Sequence, residues 1–174
     1  MTLAEISERG EEYARTYNPR SVAPFPYENV LAQHADLEIL LADLEDDEVS
    51  GVTLFKDERF TILINDAKPE TRQNFTVGHE LAHYFLHREL LKQEEGIVDG
   101  DATLDGSGLL YRLNGTEDTQ IEIEANAFAA SLLMPADLVR RAWEVTRDIE
   151  ECAMIFKVSA VAMSVRLTHL GLVQ

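Results

Sequence analysis

The stretch FTVGHELAHYFLH, from Phe75 to His87, carries three of the chain's five histidines at steps of four residues, with a glutamate after the first. On a helix, residues four apart lie one turn above each other on one face. His79 and His83 can therefore offer two imidazole nitrogens to a single cation. Glu80 projects beside that face, where it can hydrogen-bond a metal-bound water and act as general base instead of occupying the metal. His83 and His87 have the same spacing, but only His79/His83 carries the glutamate in this position. His87 reads as a partly buried imidazole bonded to a neighbour, behind the ligands.

A hydrolytic zinc takes three protein ligands and keeps a further position for water. Neither His34, ahead of the strand-like segments, nor His169, near the C-terminal end, is well placed, so a carboxylate is expected as the third ligand. Glu94, Asp99, Asp101, Asp105, Glu117, Asp118, Glu122 and Glu124 all follow the helix. A ligand on a rigid helix is better held than one on a loop, which leaves Glu122 and Glu124. Both fall in IEIEANAFAASLLM, where Ala125, Ala127, Ala129 and Ala130 are small enough for close approach to the histidine helix. These arguments do not separate the two glutamates. Tyr84, Tyr111, Arg112 and His87 are the polar candidates to meet charge developing on a substrate oxygen. Zn²⁺ suits the donor set, which also accepts Mn²⁺ or Fe²⁺.

These side chains need elements to position them. Leu3 to Tyr17 has apolar residues at helical spacing and ends at the turn-forming NPR. A short helix is expected around Glu28 to His34. LEILLADL, GVTLF and FTILIN are short β-rich runs that read as a small antiparallel sheet, with KDER as a hairpin connection between the last two. From Pro69 the period changes to that of a helix ending near Arg88. Glu89 to Thr119 reads as a long acidic, glycine-containing loop, able to act as a lid over a cleft or to remain disordered. A helix over IEIEANAFAASLLM stops at Pro135, and two or three short helices follow. One of these carries Cys152, a small buried hydrophobe by its pattern.

The 174 residues suffice for one compact unit. No apolar run is long enough to span a bilayer, the N-terminus has no secretory h-region, and a single cysteine excludes an internal disulfide. A cytoplasmic location is expected. With 15 basic against 32 acidic residues the formal charge is −17, which disfavours a phosphate-rich partner and favours a basic protein surface. The stretch IEECAMIFKVSAVAMSVRLTHLGL resembles a helix-turn-helix. Its second helix offers only Arg166 and His169 as basic groups, so direct DNA binding is not expected, and a packing module or recognition surface fits better.

HELAHYFLH followed by IEIEANAFAASLLMP resembles the ImmA/IrrE family of bacterial and phage zinc metallopeptidases, whose pattern is HExxH, a variable loop, then EANxFAxxLLMP. The likeness runs from about Phe60 to Pro135. It implies an α+β fold: a zincin-like metallopeptidase core over residues 1–134, with the small antiparallel sheet packed on the HExxH helix, and a C-terminal helix-turn-helix-like extension over 135–174. By this resemblance His79 and His83 are metal ligands, Glu80 is the catalytic glutamate and Glu124, before Ala-Asn, is the third ligand. Glu122 lies outside the pattern. The implied activity is zinc-dependent cleavage of an XRE-type helix-turn-helix repressor encoded nearby, derepressing phage, mobile-element or stress genes. The alternatives are a non-proteolytic module of a toxin-antitoxin or repressor pair, and a zinc peptidase of broad specificity.

Overall fold

The computed structural model describes residues 1–45, 48–94, 96–100 and 116–174. Helix α1 spans Leu3–Tyr17 and opens on a capping box, in which Thr2 and Glu5 satisfy each other's backbone N–H groups. Helix α2 covers Glu28–Leu31, shorter than the expected segment to His34. The strands β1 (Leu37–Ala42), β2 (Val49–Lys56), β3 (Arg59–Asn65) and β4 (Gly96–Gly100) form one sheet in the order β1-β3-β2-β4.

The sheet is mixed, which corrects the antiparallel expectation. β2 and β3 form the expected hairpin, closed where Lys56 pairs with Arg59. Its turn residues Asp57 and Glu58 both have positive φ, 50° and 60°, as a two-residue type I′ turn requires. β1 lies on the far side of β3 and runs parallel to it, Leu37 opposite Phe60 through Ala42 opposite Asn65. The third strand has thus inserted between the first two. Side-chain alternation reports which face is buried and carries no information on pairing direction, so the parallel edge was not visible in the pattern. β4 pairs antiparallel with β2 and comes from the stretch expected to be loop.

Helix α3 runs from Glu70 to Leu86, with Pro69 at its N-cap. It lies on the face of the sheet to which β3 contributes Phe60, Ile62 and Ile64, all fully buried. Each such side chain stabilises the fold by about 1.5–3 kcal/mol through removal from water. Helix α4 (Arg88–Glu94) follows, again within the expected loop. Helix α5 (Thr116–Leu133) then packs on both α3 and α1. Its approach to α1 depends on Gly10, where a Cβ would stand 2.7 Å from the Phe128 carbonyl oxygen.

The last segment forms α6 (Ala136–Thr146), α7 (Ile149–Phe156) and α8 (Ala160–His169). Asp148 and Ser159 cap the latter two helices, and Lys157, in the left-handed region, closes α7. These helices place Val139, Cys152, Phe156, Met163 and Leu167 in the same buried cluster as Ile6, Phe60 and Phe128. Polar contacts reinforce the join. Asn74 of α3 donates to the carbonyls of Phe156 and Lys157 at 3.2 and 3.0 Å. Arg166, one of the two basic groups weighed for nucleic-acid contact, is buried. It donates to the Met134 carbonyl at 2.9 Å and to Glu11 Oε1 at 2.5 Å. Glu11 Oε1 also accepts the Ala136 backbone N–H, which ties α1, α6 and α8 together. Among the described residues no helix is long and apolar enough to cross a membrane.

Removing one partner of a buried ion pair leaves the other charge uncompensated. Arg166→Ala is expected to destabilise the protein by about 3–5 kcal/mol in urea unfolding. A change within experimental error would show that this pair does not hold the C-terminal helices in place.

Candidate metal centre

The second half of α3 buries three polar side chains. His79, Glu80 and His83 are 2%, 0% and 0% exposed. Groups this deeply buried need partners inside the protein, and helix α5, strand β2 and the end of α3 itself supply them.

Helix α5 supplies Glu122 and Asn126, one turn apart. Gly78 meets Leu133, His79 meets Asn126 and His83 meets Glu122, so α3 and α5 run antiparallel. The two imidazoles face each other with Nε2 atoms 3.0 Å apart. The Glu122 carboxylate lies 3.1 Å from His79 Nε2 and 3.3 Å from His83 Nε2. One donor atom from each of His79, His83 and Glu122 falls within 4.8 Å of the others. On the outer side, Nδ1 of His79 meets Asn126 Oδ1 at 3.1 Å, and Nδ1 of His83 meets Nδ1 of His87 at 3.0 Å.

The electrostatics suit a cation. Burial drives the His83 pKa down to about 4, so the ring is neutral at physiological pH, the form that ligates metals. Burial also lowers His87, against the opposing pull of Glu124. For Glu122 burial works the other way, but hydrogen bonding to His79 and His83 outweighs it and holds the carboxyl well below the usual carboxylate range. With both Nδ1 atoms engaged outward, the inward atoms are two imidazole nitrogens and a carboxylate. Once the inward nitrogens give up the hydrogens they offer Glu122, this set fits a divalent ion, and N,N,O donors suit zinc. The three residues therefore form a possible metal site.

Strand β2 supplies the remaining partner. Thr53 donates its hydroxyl to Glu80 Oε2 at 2.5 Å and so holds that carboxylate. β2 passes so close here that a Cβ at Gly51 would lie 2.4 Å from Thr76 Cγ2 and 3.4 Å from Glu80 Oε1. Beyond Asn126 a groove of about 540 Å³ opens between α1, α5 and α8, lined by Leu3, Phe75, Ala127, Ala130 and Val165 among others.

The structure thus brings His79 and His83 of the expected set together with Glu122, buries Glu80 against Thr53, and sets Glu124 apart. Glu124 faces His87 Nε2 at 3.3 Å and accepts from Gln120 Nε2 at 3.0 Å. The hydrogen bond from Gln120, with a smaller contribution from His87, lowers its pKa. The family pattern points to Glu124, whereas the helix phase of α5 turns Glu122, one turn before Asn126, onto the imidazole pair. His87 does lie behind His83. Tyr84 is engaged elsewhere, its hydroxyl donating to Asp36 at 3.1 Å and meeting His34 Nδ1 at 3.0 Å. Tyr111 and Arg112 lie outside the described residues, as do Asp101, Asp105 and most of the segment considered as a lid. Sequence reasoning did not reach Thr53, because no local pattern links a strand hydroxyl to a glutamate 27 residues later. Asn126 could have been suspected, since it stands four residues after Glu122.

Against known proteins, residues 32–168 fit the family model described as the IrrE N-terminal-like domain, Peptidase M78. That match reaches beyond both ends of the stretch whose motifs carried the resemblance. No curated protein sequence matches significantly. Among solved structures, a Mycobacterium tuberculosis transcriptional regulator superposes with a TM-score of 0.60 at 13% identity, covering 94% of this chain and 47% of that one. At such identity the likeness is one of fold, and the chain spans about half of that regulator.

Thr53→Val keeps the shape of the side chain and removes its donor to Glu80. Hydrogen bonds to charged groups contribute about 1.5–3 kcal/mol, so a stability loss of about that size is expected in chemical denaturation. An unchanged midpoint would mean that Thr53 does not hold Glu80.

Proposed function

This chain belongs to the Peptidase M78 family of IrrE N-terminal-like domains, and on that premise we propose that it is a metal-dependent endopeptidase, with zinc the metal of choice. The observation that carries this reading is the cluster of the buried His79 and His83 with the partly exposed Glu122, and the buried Glu80 that follows His79 in the chain. A purely structural site has no need of a base at that position. His79, His83 and Glu122 would hold the ion, which when bound supplies a Lewis acid for a peptide carbonyl and makes water more acidic.

The chain's own groups do the rest. Glu80, oriented by Thr53, takes a proton from the attacking water and delivers it to the departing amine. Asn126 and His87 hold the two imidazoles in orientation. Burial around α3 excludes bulk water and strengthens these interactions. Tyr84 is not assigned to oxyanion stabilisation, because its hydroxyl is committed to His34 and Asp36.

For the substrate we favour a helix-turn-helix repressor of the XRE type encoded nearby. Membership of the family supports a polypeptide substrate, and the apolar groove reached through Asn126 offers room for one. A chain of charge −17 suits a partner that presents a basic DNA-reading face. Direct binding of DNA by this chain is disfavoured, since Arg166 is consumed in a buried ion pair and Lys157 pairs with Glu70 at 2.6 Å.

The test is incubation of the zinc-loaded protein with that repressor, with and without chelator, and with Glu80→Gln as control. The expected result is a single chelator-sensitive cut, reduced at least about a hundredfold in the variant, the lower range for loss of a general base. Repressor affinity is expected to fall as salt rises. Stable binding without cleavage under every condition would replace the peptidase by a sequestering module.

A further inference from the structure

Strand β1 closes one side of the sheet. In the order β1-β3-β2-β4 it has β3 on one flank and, among the described residues, no strand on the other. We propose that this open edge is a docking site for an extended, basic segment of a partner protein, which joins the sheet as a further strand. The site is separate from the metal cluster, because β3 stands between β1 and the strand β2 that meets Glu80. The inference therefore does not depend on the peptidase reading.

Alternation along the strand fixes which backbone groups are free. The Asp36 carbonyl accepts from the Phe60 N–H at 2.7 Å, and the Ala42 carbonyl from the Asp66 N–H at 3.0 Å. In a parallel pair, residues that bond the neighbouring strand alternate with residues that face away. Glu38 and Leu40 thus face β3, while Leu37, Ile39 and Leu41 turn their N–H and C=O groups outward. The Leu37 N–H is taken by the His34 carbonyl at 3.1 Å. The outward groups of Ile39 and Leu41 meet no backbone partner among the described residues. Donors and acceptors in a row at strand spacing are complementary to the backbone of another strand.

The surroundings say what that strand carries. The sequence LEILLA has neither proline nor lysine to blunt the edge, and Leu40 and Leu41 are 46% and 65% exposed. Ile39 and Leu41 pair with Ile62 and Ile64, which sets their side chains on the face covered by α3. There they line a cavity of about 580 Å³ with Phe25, Pro26 and Val77, able to take apolar side chains from alternate positions of the incoming strand. Carboxylates surround this apolar floor. Glu28 stands exposed on the cavity side, Glu38 lies on the opposite face of β1, and Asp43 follows the strand's end. The cation of the cavity lining, Lys157 beside Arg-free walls, is paired with Glu70 at 2.6 Å. Basic side chains between the apolar ones complement these charges. A second copy of this chain would bring the same carboxylates and a charge of −17 to the contact, which disfavours it as the occupant.

The test uses the full chain and a rhodamine-labelled peptide of alternating lysine and valine. An equally charged peptide of alternating lysine and proline, which cannot donate to a ladder, and an alternating glutamate and valine peptide are the controls. Fluorescence anisotropy reads affinity at physiological salt, and amide hydrogen exchange reads the place of binding. The lysine and valine peptide is expected to bind at least about tenfold more tightly than either control and to slow exchange at Ile39 and Leu41, as added backbone hydrogen bonds imply. Ile39→Pro removes an outward N–H while leaving the bonds to β3 in place, the kind of edge position where proline is tolerated. It is expected to weaken binding about tenfold or more with an unchanged circular dichroism spectrum, and Leu41→Pro to do the same by an independent route. Equal binding of the lysine and proline peptide would reduce the effect to bulk charge and overturn the proposal. Absence of binding, or unchanged exchange at Ile39 and Leu41 in the wild type, overturns it whether or not the proline variants fold. A mass that rises with protein concentration in the wild type and not in the proline variants would give the edge to a second copy and also overturn it. Neither zinc nor Glu80 enters the measurement, so failure of the peptidase reading leaves this one standing.

Discussion

Polar groups buried without partners are too costly to keep, and the architecture around α3 follows from that constraint. His83 and Glu80 are fully excluded from solvent on a helix that also places Leu81 and Ala82 in the core. Neighbouring elements answer these two and His79 with complementary groups: Thr53 from β2, Glu122 and Asn126 from α5, and His87 from the end of α3 itself. Close approach is needed for such short contacts. It is obtained where side chains are smallest, at Gly51 against Thr76 and at Gly78 against Leu133. Four donor or acceptor partners and two glycines thus converge on three residues, a concentration that core packing alone does not require.

The C-terminal helices show the same rule in a structural role. A segment with the pattern of a helix-turn-helix spends its one buried cation, Arg166, on Glu11 and on the last carbonyl of the α5 region. Its apolar residues join the common core. What remains outward on α8 is apolar at Val161 and Val165, which are 74% and 50% exposed. This is a surface suited to protein contact more than to phosphate.

The histidine helix, its N-terminus at Pro69, the hairpin at Asp57-Glu58 and the first helix were legible from local pattern, because period and turn chemistry act over a few residues. The parallel pairing of β1 with β3 was not, since pairing direction is a property of two distant segments. Nor were α4 and β4, hidden in a stretch whose charges and glycines read as loop. The choice between Glu122 and Glu124 turned on helix phase relative to a partner helix, and a motif states residue identity without stating that phase. Arg166 looked available because exposure cannot be read from its own helix when its partner, Glu11, lies at the other end of the chain.

The central claim is that α3 and α5 together build a metal site from His79, His83 and Glu122. The direct measurement is a crystal structure of the zinc-loaded protein with anomalous data at the zinc edge. The account predicts one metal peak bonded to Nε2 of His79, Nε2 of His83 and the carboxylate of Glu122, with Glu124 still on His87. A peak coordinated by Glu124, or none between these two helices, would contradict it.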